Sequence, residues 1–165
     1  MFRLNNNHYI LRALQRSDLL PVVSLAEPDC EENYNDMILD QKRIYSKSWQ
    51  RVLHYIFSAD QDIPRSILEA PGKLTDRYCR IIKEKFAGFN KEIEEITATQ
   101  RSYSIPDGEL RESLKRDNKE YVCPKYNSFY DKYALVPFTK HTEKYVKYTP
   151  AEVSSLIDSF FDAAA

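Results

Sequence analysis

Apolar residues recur at steps of three and four through most of the chain, the period of amphipathic helices. Residues 5–16 predict a first helix with Ile10, Leu11 and Leu14 inward. Ser17-Asp18 then reads as the N-cap of a second, short helix, with Pro21 in the first turn, where a missing N–H costs little. From Pro28 a long stripe of Tyr34, Ile38, Gln41, Tyr45, Ser48/Trp49, Val52 and Ile56 runs to about Phe57. About thirty residues at 1.5 Å each would make one helix of roughly 45 Å. Residues 59–73 break the pattern, with Pro64, Pro71 and Gly72 marking an exposed connection. Leu74, Tyr78, Ile82, Phe86, Phe89, Ile93 and Ile96 define another long helix, to about Arg101. Asp107 is placed to cap a helix reaching about Tyr133, with Leu110, Leu114, Tyr121, Val122, Tyr126 and Phe129 inward and a kink expected at Pro124. After an extended crossing at Ala134–Phe138, Lys140–Tyr148 predicts a brief helix. Thr149-Pro150-Ala151-Glu152 is a capping box with proline at the first helical position, opening a last helix with Val153, Leu156, Ile157 and Phe160 inward.

Composition sharpens this into a fold class. Only three glycines occur, at 72, 88 and 108, against an average usage of about 7%. Hairpins and phosphate loops rely on glycine to enter positive φ, so sheets and nucleotide sites are disfavoured. The expectation is an all-α, elongated bundle of long antiparallel helices forming one domain over residues 1–165. Hydrophobic residues at 42% and charged residues at 30% suit a folded chain rather than a disordered one. No run of about 18 apolar residues is present, and Met1-Phe2-Arg3-Leu4 lacks the apolar core of a signal peptide. Cys30, Cys79 and Cys123 are scattered and odd in number, the pattern of reduced thiols in the cytoplasm.

Parts for catalysis are missing. Ala70-Pro71-Gly72-Lys73 fails as a phosphate loop, because Ile67 stands where glycine is needed and Leu74 where a hydroxyl is needed. His8, His54 and His141 are far apart and outside any HExxH, so no metal ligand set emerges. Glu31-Glu32 and Glu94-Glu95 are adjacent pairs that diverge by about 100° on a helix and read as solvated faces. No nucleophile elbow occurs. The chain is therefore expected to be no enzyme and to need no cofactor. With pI near 6.3 and no RNA-binding signature, nucleic acid is not an expected partner.

Charge is uneven. Arg111 to Lys147 contains nine basic and five acidic residues, a local +4 that leaves −5 elsewhere in a chain of net −1. On a helix, Lys140, Lys144 and Lys147 would fall within a wedge of about 60°, with Lys125 and Lys132 on the preceding element. A solvated face and an anionic partner both fit such a trio. An anionic membrane offers about 1 kcal/mol per nearby lysine, so three give roughly a hundredfold. Stable anchoring would then need a multiply charged headgroup, more basic residues or avidity.

The residues themselves carry a resemblance. Val136-Pro137-Phe138-Thr139-Lys140 and Glu143-Lys144-Tyr145-Val146-Lys147-Tyr148 resemble the VPFTK…EKYIKY signature of the seventy-kilodalton subunit of the exocyst tethering complex. Ile81-Ile82-Lys83-Glu84-Lys85-Phe86, Gly88-Phe89-Asn90 and Ser104-Ile105-Pro106-Asp107 resemble further motifs of that family, in order, and the likeness covers essentially the whole chain. It implies the last part of a longer rod of stacked helical bundles that tethers secretory vesicles. It also implies binding of phosphatidylinositol 4,5-bisphosphate through Lys144 and Lys147, contact with other exocyst subunits and a Rho-family GTPase, and a place at the inner face of the plasma membrane. Lys140 and Lys132 join the candidate lipid site on charge geometry alone. A scaffold whose lysines meet acidic protein surfaces is the alternative. Where the family has Asn-Pro before its EKY element this chain has His141-Thr142, so a frayed helix start is expected. An apolar face around Ile10 and Leu14, left bare by absent upstream helices, predicts some self-association.

Overall fold

A computed structural model describes residues 1–69, 72 and 74–162. Ala70, Pro71 and Lys73, from the connection and the failed phosphate loop, lie outside the described residues. The described residues form helices α1 (Phe2–Arg16), α2 (Leu20–Ala26), α3 (Cys30–Ser46), α4 (Gln50–Asp62), α5 (Arg65–Leu68), α6 (Asp76–Arg101), α7 (Gly108–Tyr133) and α8 (Pro150–Asp158), with no strand among them. The all-α expectation holds.

Side-chain pairings fix the register. Arg51 faces Glu92 and Lys85 faces Asp62, so α4 and α6 are antiparallel. Phe89 stacks on Tyr126 with centroids 4.3 Å apart and Phe86 meets Phe129 at 4.7 Å, so α6 and α7 are antiparallel too. Lys42 with Asp117, Trp49 with Asn118 and Asp60 with Lys132 align the α3–α4 segment parallel to α7. Lys119 with Asp158 and Lys115 with Asp162 set α8 antiparallel to α7. The predicted stripe of α6 is buried at Ile82, Phe86, Phe89, Ile93 and Ile96. Gly88 permits close approach of the helices, because a Cβ there would collide with the Tyr55 ring of α4.

The expected single helix from Pro28 to Phe57 is divided. A 3₁₀ turn at Lys47–Trp49 separates α3 from α4. Its tighter winding delivers Trp49 into the core, fully buried and stacked on Phe160 at 5.8 Å. The Trp49 indole donates to Asn118 Oδ1 at 2.9 Å, and Asn118 Nδ2 donates to the Tyr45 hydroxyl at 2.8 Å. A repeat of three and four residues does not reveal which turn is tightened, so the sequence pattern runs on through it.

Smaller expectations also shift. In α1 the buried residues are Leu4 and Leu11, whereas Ile10 is exposed. Ser17 Oγ donates back to Ala13 O at 2.6 Å, closing α1 rather than capping α2, whose N-cap is Leu19. Pro124 stays inside α7, with Pro124 and Glu120 both exposed, so the carbonyl that loses its partner lies on the solvent side. Tyr121 is exposed, and Asn118 takes an inward place instead. Asp107 caps α7 through the Leu110 N–H, and the Thr149–Glu152 capping box is complete.

Phe86 touches both Phe129 and Phe138 at zero exposure. Phe86→Ala is expected to cost about 3–5 kcal/mol in urea unfolding. Leu135→Ala, at a side chain 92% exposed, should change stability by less than about 0.5 kcal/mol.

Candidate functional site

The lysine-bearing segment does not form the predicted helix over Lys140–Tyr148. One 3₁₀ turn, Thr142–Lys144, is all that winds, with His141 at its N-cap and no side-chain cap. The Val146 N–H reaches Thr142 O at 2.8 Å, but the Lys147 N–H turns back to Tyr145 O at 3.0 Å and the ladder ends. Side chains of α6 and α7 take carbonyls at the end of the segment. Asn90 Nδ2 donates to Tyr145 O at 2.8 Å, and the Tyr126 hydroxyl donates to Tyr148 O at 2.5 Å. Thr149 is extended, at φ −76° and ψ 162°, as a residue before proline prefers. The 60° wedge of Lys140, Lys144 and Lys147 expected for a helix therefore does not exist.

What exists instead is a strap along α6. Phe138 is buried and stacks on Phe86 at 5.7 Å, and Tyr145 meets Phe138 edge-on at 6.0 Å. Lys83 of α6 places Nζ 5.9 Å from the Tyr145 ring centroid. Eleven residues along the same helix, Glu94 accepts from Lys147 Nζ, and the Tyr148 hydroxyl donates to the same carboxylate oxygen at 2.9 Å.

The four predicted lysines thus differ. Lys140 and Lys144 are exposed and make no ion pair among the described residues. Lys147 is exposed but engaged by Glu94. Lys132 Nζ lies 2.7 Å from Asp60 Oδ2 on α4, a carboxylate that also accepts from the Tyr133 hydroxyl at 2.9 Å. The fold ties Lys132 to α4 and Lys147 to α6, so the four do not share one helical face. Three residues at the strap are not assigned to it by spacing: Glu94, and Asn90 and Lys83, which the sequence shows only as parts of family-like motifs. Spacing alone makes Glu94 a solvated residue, and only the tertiary approach of a residue 53 positions away gives it a partner.

Protonation follows these contacts. Hydrogen bonds from Lys147 and Tyr148 hold Glu94 below the ordinary carboxylate value, and the bond to Glu94 raises Lys147. Partial burial works to raise Asp60, but hydrogen bonds from Lys132 and Tyr133 bring it below its usual value. Burial pushes the Tyr126 hydroxyl up, keeping it a neutral donor to Tyr148 O.

The histidines stand in separate places: His8 near Asp107, His54 against Tyr55 and His141 near Glu143. Among the described residues no group of three or more His, Cys, Asp or Glu could hold a metal ion. None of their helices is long and apolar enough to cross a membrane. The chemistry on offer is a cationic, aromatic-backed surface on a helical scaffold.

That architecture belongs to the class of exocyst helical-rod domains, and similarity to known proteins makes the class specific. Residues 1–159 match the C-terminal family of the Exo70 exocyst complex subunit, and the chain belongs to it. The chain is 46% identical over its whole length to exocyst complex component 7 of Drosophila melanogaster and 38% identical to that of Homo sapiens. It covers 23% and 22% of those proteins, a little under a quarter of each. A solved structure of S. cerevisiae Exo70 superposes with a TM-score of 0.62 over 93% of this chain and 26% of that one, at 21% identity.

A depressed folded-state pKa makes the Glu94 contact stabilising above its unfolded value of 4.5, and the contribution is lost as pH falls through the lower folded value. Glu94→Gln should therefore lose less stability than wild type between about pH 5 and pH 3, read as a shallower slope of unfolding free energy against pH.

Proposed function

We propose that residues 1–165 act as one membrane-targeting domain of an exocyst subunit, working from the cytoplasm at the inner face of the plasma membrane to help tether secretory vesicles. The domain binds phosphatidylinositol 4,5-bisphosphate through Lys144 and Lys147, with Lys140 and Lys132 as supporting charge. The observation that supports this reading is the exposure of Lys140 and Lys144, without ion pairs among the described residues, on a strap backed by buried aromatics. Charges with no internal counter-ion retain their full attraction for a polyphosphate headgroup. Side-chain entropy is lost less where the backbone is already held.

A second role as a scaffold for a Rho-family GTPase or other exocyst subunits has separate support. Tyr9, Val22 and Leu25 are 74%, 60% and 87% exposed on α1 and α2, away from the strap. Exposed apolar side chains of this kind suit a protein partner rather than a headgroup.

Co-sedimentation with vesicles containing or lacking phosphatidylinositol 4,5-bisphosphate tests the first reading. Lys144→Ala/Lys147→Ala should weaken headgroup-dependent binding about tenfold, ~1.4 kcal/mol, with the effect shrinking at high salt. Equal binding to both vesicle types would overturn the lipid reading. Failure to bind a GTPase or another exocyst subunit after charge reversal at the same lysines would then favour the scaffold.

A further inference from the structure

We propose that Thr142 is a phosphorylation site for a protein kinase that selects basic surroundings, and that its phosphate switches off the strap's contacts with an anionic surface. The switch rests on the lipid reading above, whereas the modification site stands apart from it.

Three threonines lie on or beside the strap, and the fold leaves one hydroxyl free. Thr139 is half-buried, and its Oγ1 accepts from the His141 N–H at 3.2 Å. Thr149 Oγ1 is engaged in the α8 capping box, donating to Glu152 Oε2 at 2.8 Å. Thr142 is exposed, and its side chain makes no hydrogen bond among the described residues. The backbone around it is lightly held. Residues 139–144 run between two anchors, the buried Phe138 and Tyr145, whose carbonyl Asn90 binds. Between them the Thr142–Lys144 turn has no side-chain cap. It is closed by the Tyr145 and Val146 N–H groups on Thr142 O and by the Lys144 N–H on His141 O. So short a 3₁₀ turn can open into a kinase cleft while the anchors keep the strap on α6.

Charge both directs the kinase and makes the phosphate matter. Lys140 and Lys144 stand two residues before and two residues after Thr142, exposed and without ion pairs among the described residues. A kinase with an acidic substrate cleft is drawn to such flanking cations. In the transfer, Thr142 Oγ attacks the γ-phosphorus of ATP and the bond to the bridging oxygen breaks. ADP leaves, and the hydroxyl proton passes to the kinase's catalytic carboxylate. Two lysines and Glu143 give residues 139–144 a net +1 with histidine neutral. A phosphate of nearly −2 turns that into about −1, reversing the sign the strap presents. Its oxygens also accept from the neighbouring ammonium groups, so the phosphate occupies from within the cations that a headgroup would engage from outside.

The test incubates the chain with ATP and protein kinase C, locates the phosphate by mass spectrometry and measures vesicle binding before and after. Phosphate should appear at Thr142 rather than at Thr139 or Thr149, and Lys140→Ala/Lys144→Ala should slow its addition about fivefold. Phosphorylation should weaken binding to vesicles carrying phosphatidylinositol 4,5-bisphosphate about tenfold, with the helical circular dichroism unchanged. Thr142→Ala should bind as wild type does and lose all response to the kinase. Thr142→Glu should weaken binding about threefold, but less than about twofold in the Lys140→Ala/Lys144→Ala background, where its cationic targets are gone. Absence of phosphate at Thr142 overturns the proposal and leaves the lipid reading standing. So does phosphorylated protein that binds as tightly as unmodified protein whose binding depends on the phosphoinositide. If the unmodified chain ignores the phosphoinositide, the switch falls with the lipid reading, and the mass spectrum decides the modification site separately.

Discussion

Two hydrogen bonds decide what the lysine surface is. Asn90 on α6 takes the Tyr145 carbonyl, and Tyr126 on α7 takes the Tyr148 carbonyl. A helix ending at Tyr148 would have left both carbonyls in its last turn, where no N–H of its own could reach them. Once side chains of the scaffold claim them, Lys144 and Lys147 belong to a pinned strap rather than to a separate helix. The bonds to the strap are part-buried, where polar groups need partners and where losing one is costly. Both donors are themselves placed by packing, since Tyr126 lies flat on Phe89 and Asn90 follows Phe89 in the buried run of α6.

That base is aromatic for a reason of size. Phe86, Phe89, Tyr126, Phe129 and Tyr133 fill the space between α6 and α7, and Phe138 extends the stack outward to Tyr145. Large flat side chains bury much apolar area with few rotatable bonds, so the strap inherits the stiffness of the bundle. Electrostatics then sort the cations. Lys147, Lys132 and Lys85 each meet a carboxylate on a neighbouring element, while Lys140 and Lys144 do not among the described residues. Exposed pairs of this kind contribute little to stability. Their larger consequence is to set which charges an anionic partner meets first.

Much of this is legible in the sequence, and the failures have physical causes. The α6 stripe, the Asp107 cap and the Thr149–Glu152 capping box can be read directly because each is local, set by periodicity or by residues within about one turn. The division of α3 from α4 escapes because Trp49 enters the core through a tightened turn that keeps the apolar spacing. The strap found in place of the helix expected over Lys140–Tyr148 is held nonlocally: Asn90 and Tyr126 lie 55 and 22 residues from the carbonyls they bind. The same distance hides the role of Glu94. Spacing places the candidate lysines near one another in sequence, and only tertiary contacts separate the free charges from the engaged ones.

The central claim is that the scaffold presents the lysines, beyond merely supplying charge. Asn90→Ala tests it most directly, because it releases the strap and removes no charge. Vesicle binding by a variant shown by circular dichroism to keep its helices should fall several-fold for phosphatidylinositol 4,5-bisphosphate despite the unchanged net charge. Binding equal to wild type would contradict the account, and would mean that the lysines act by charge alone wherever the strap lies.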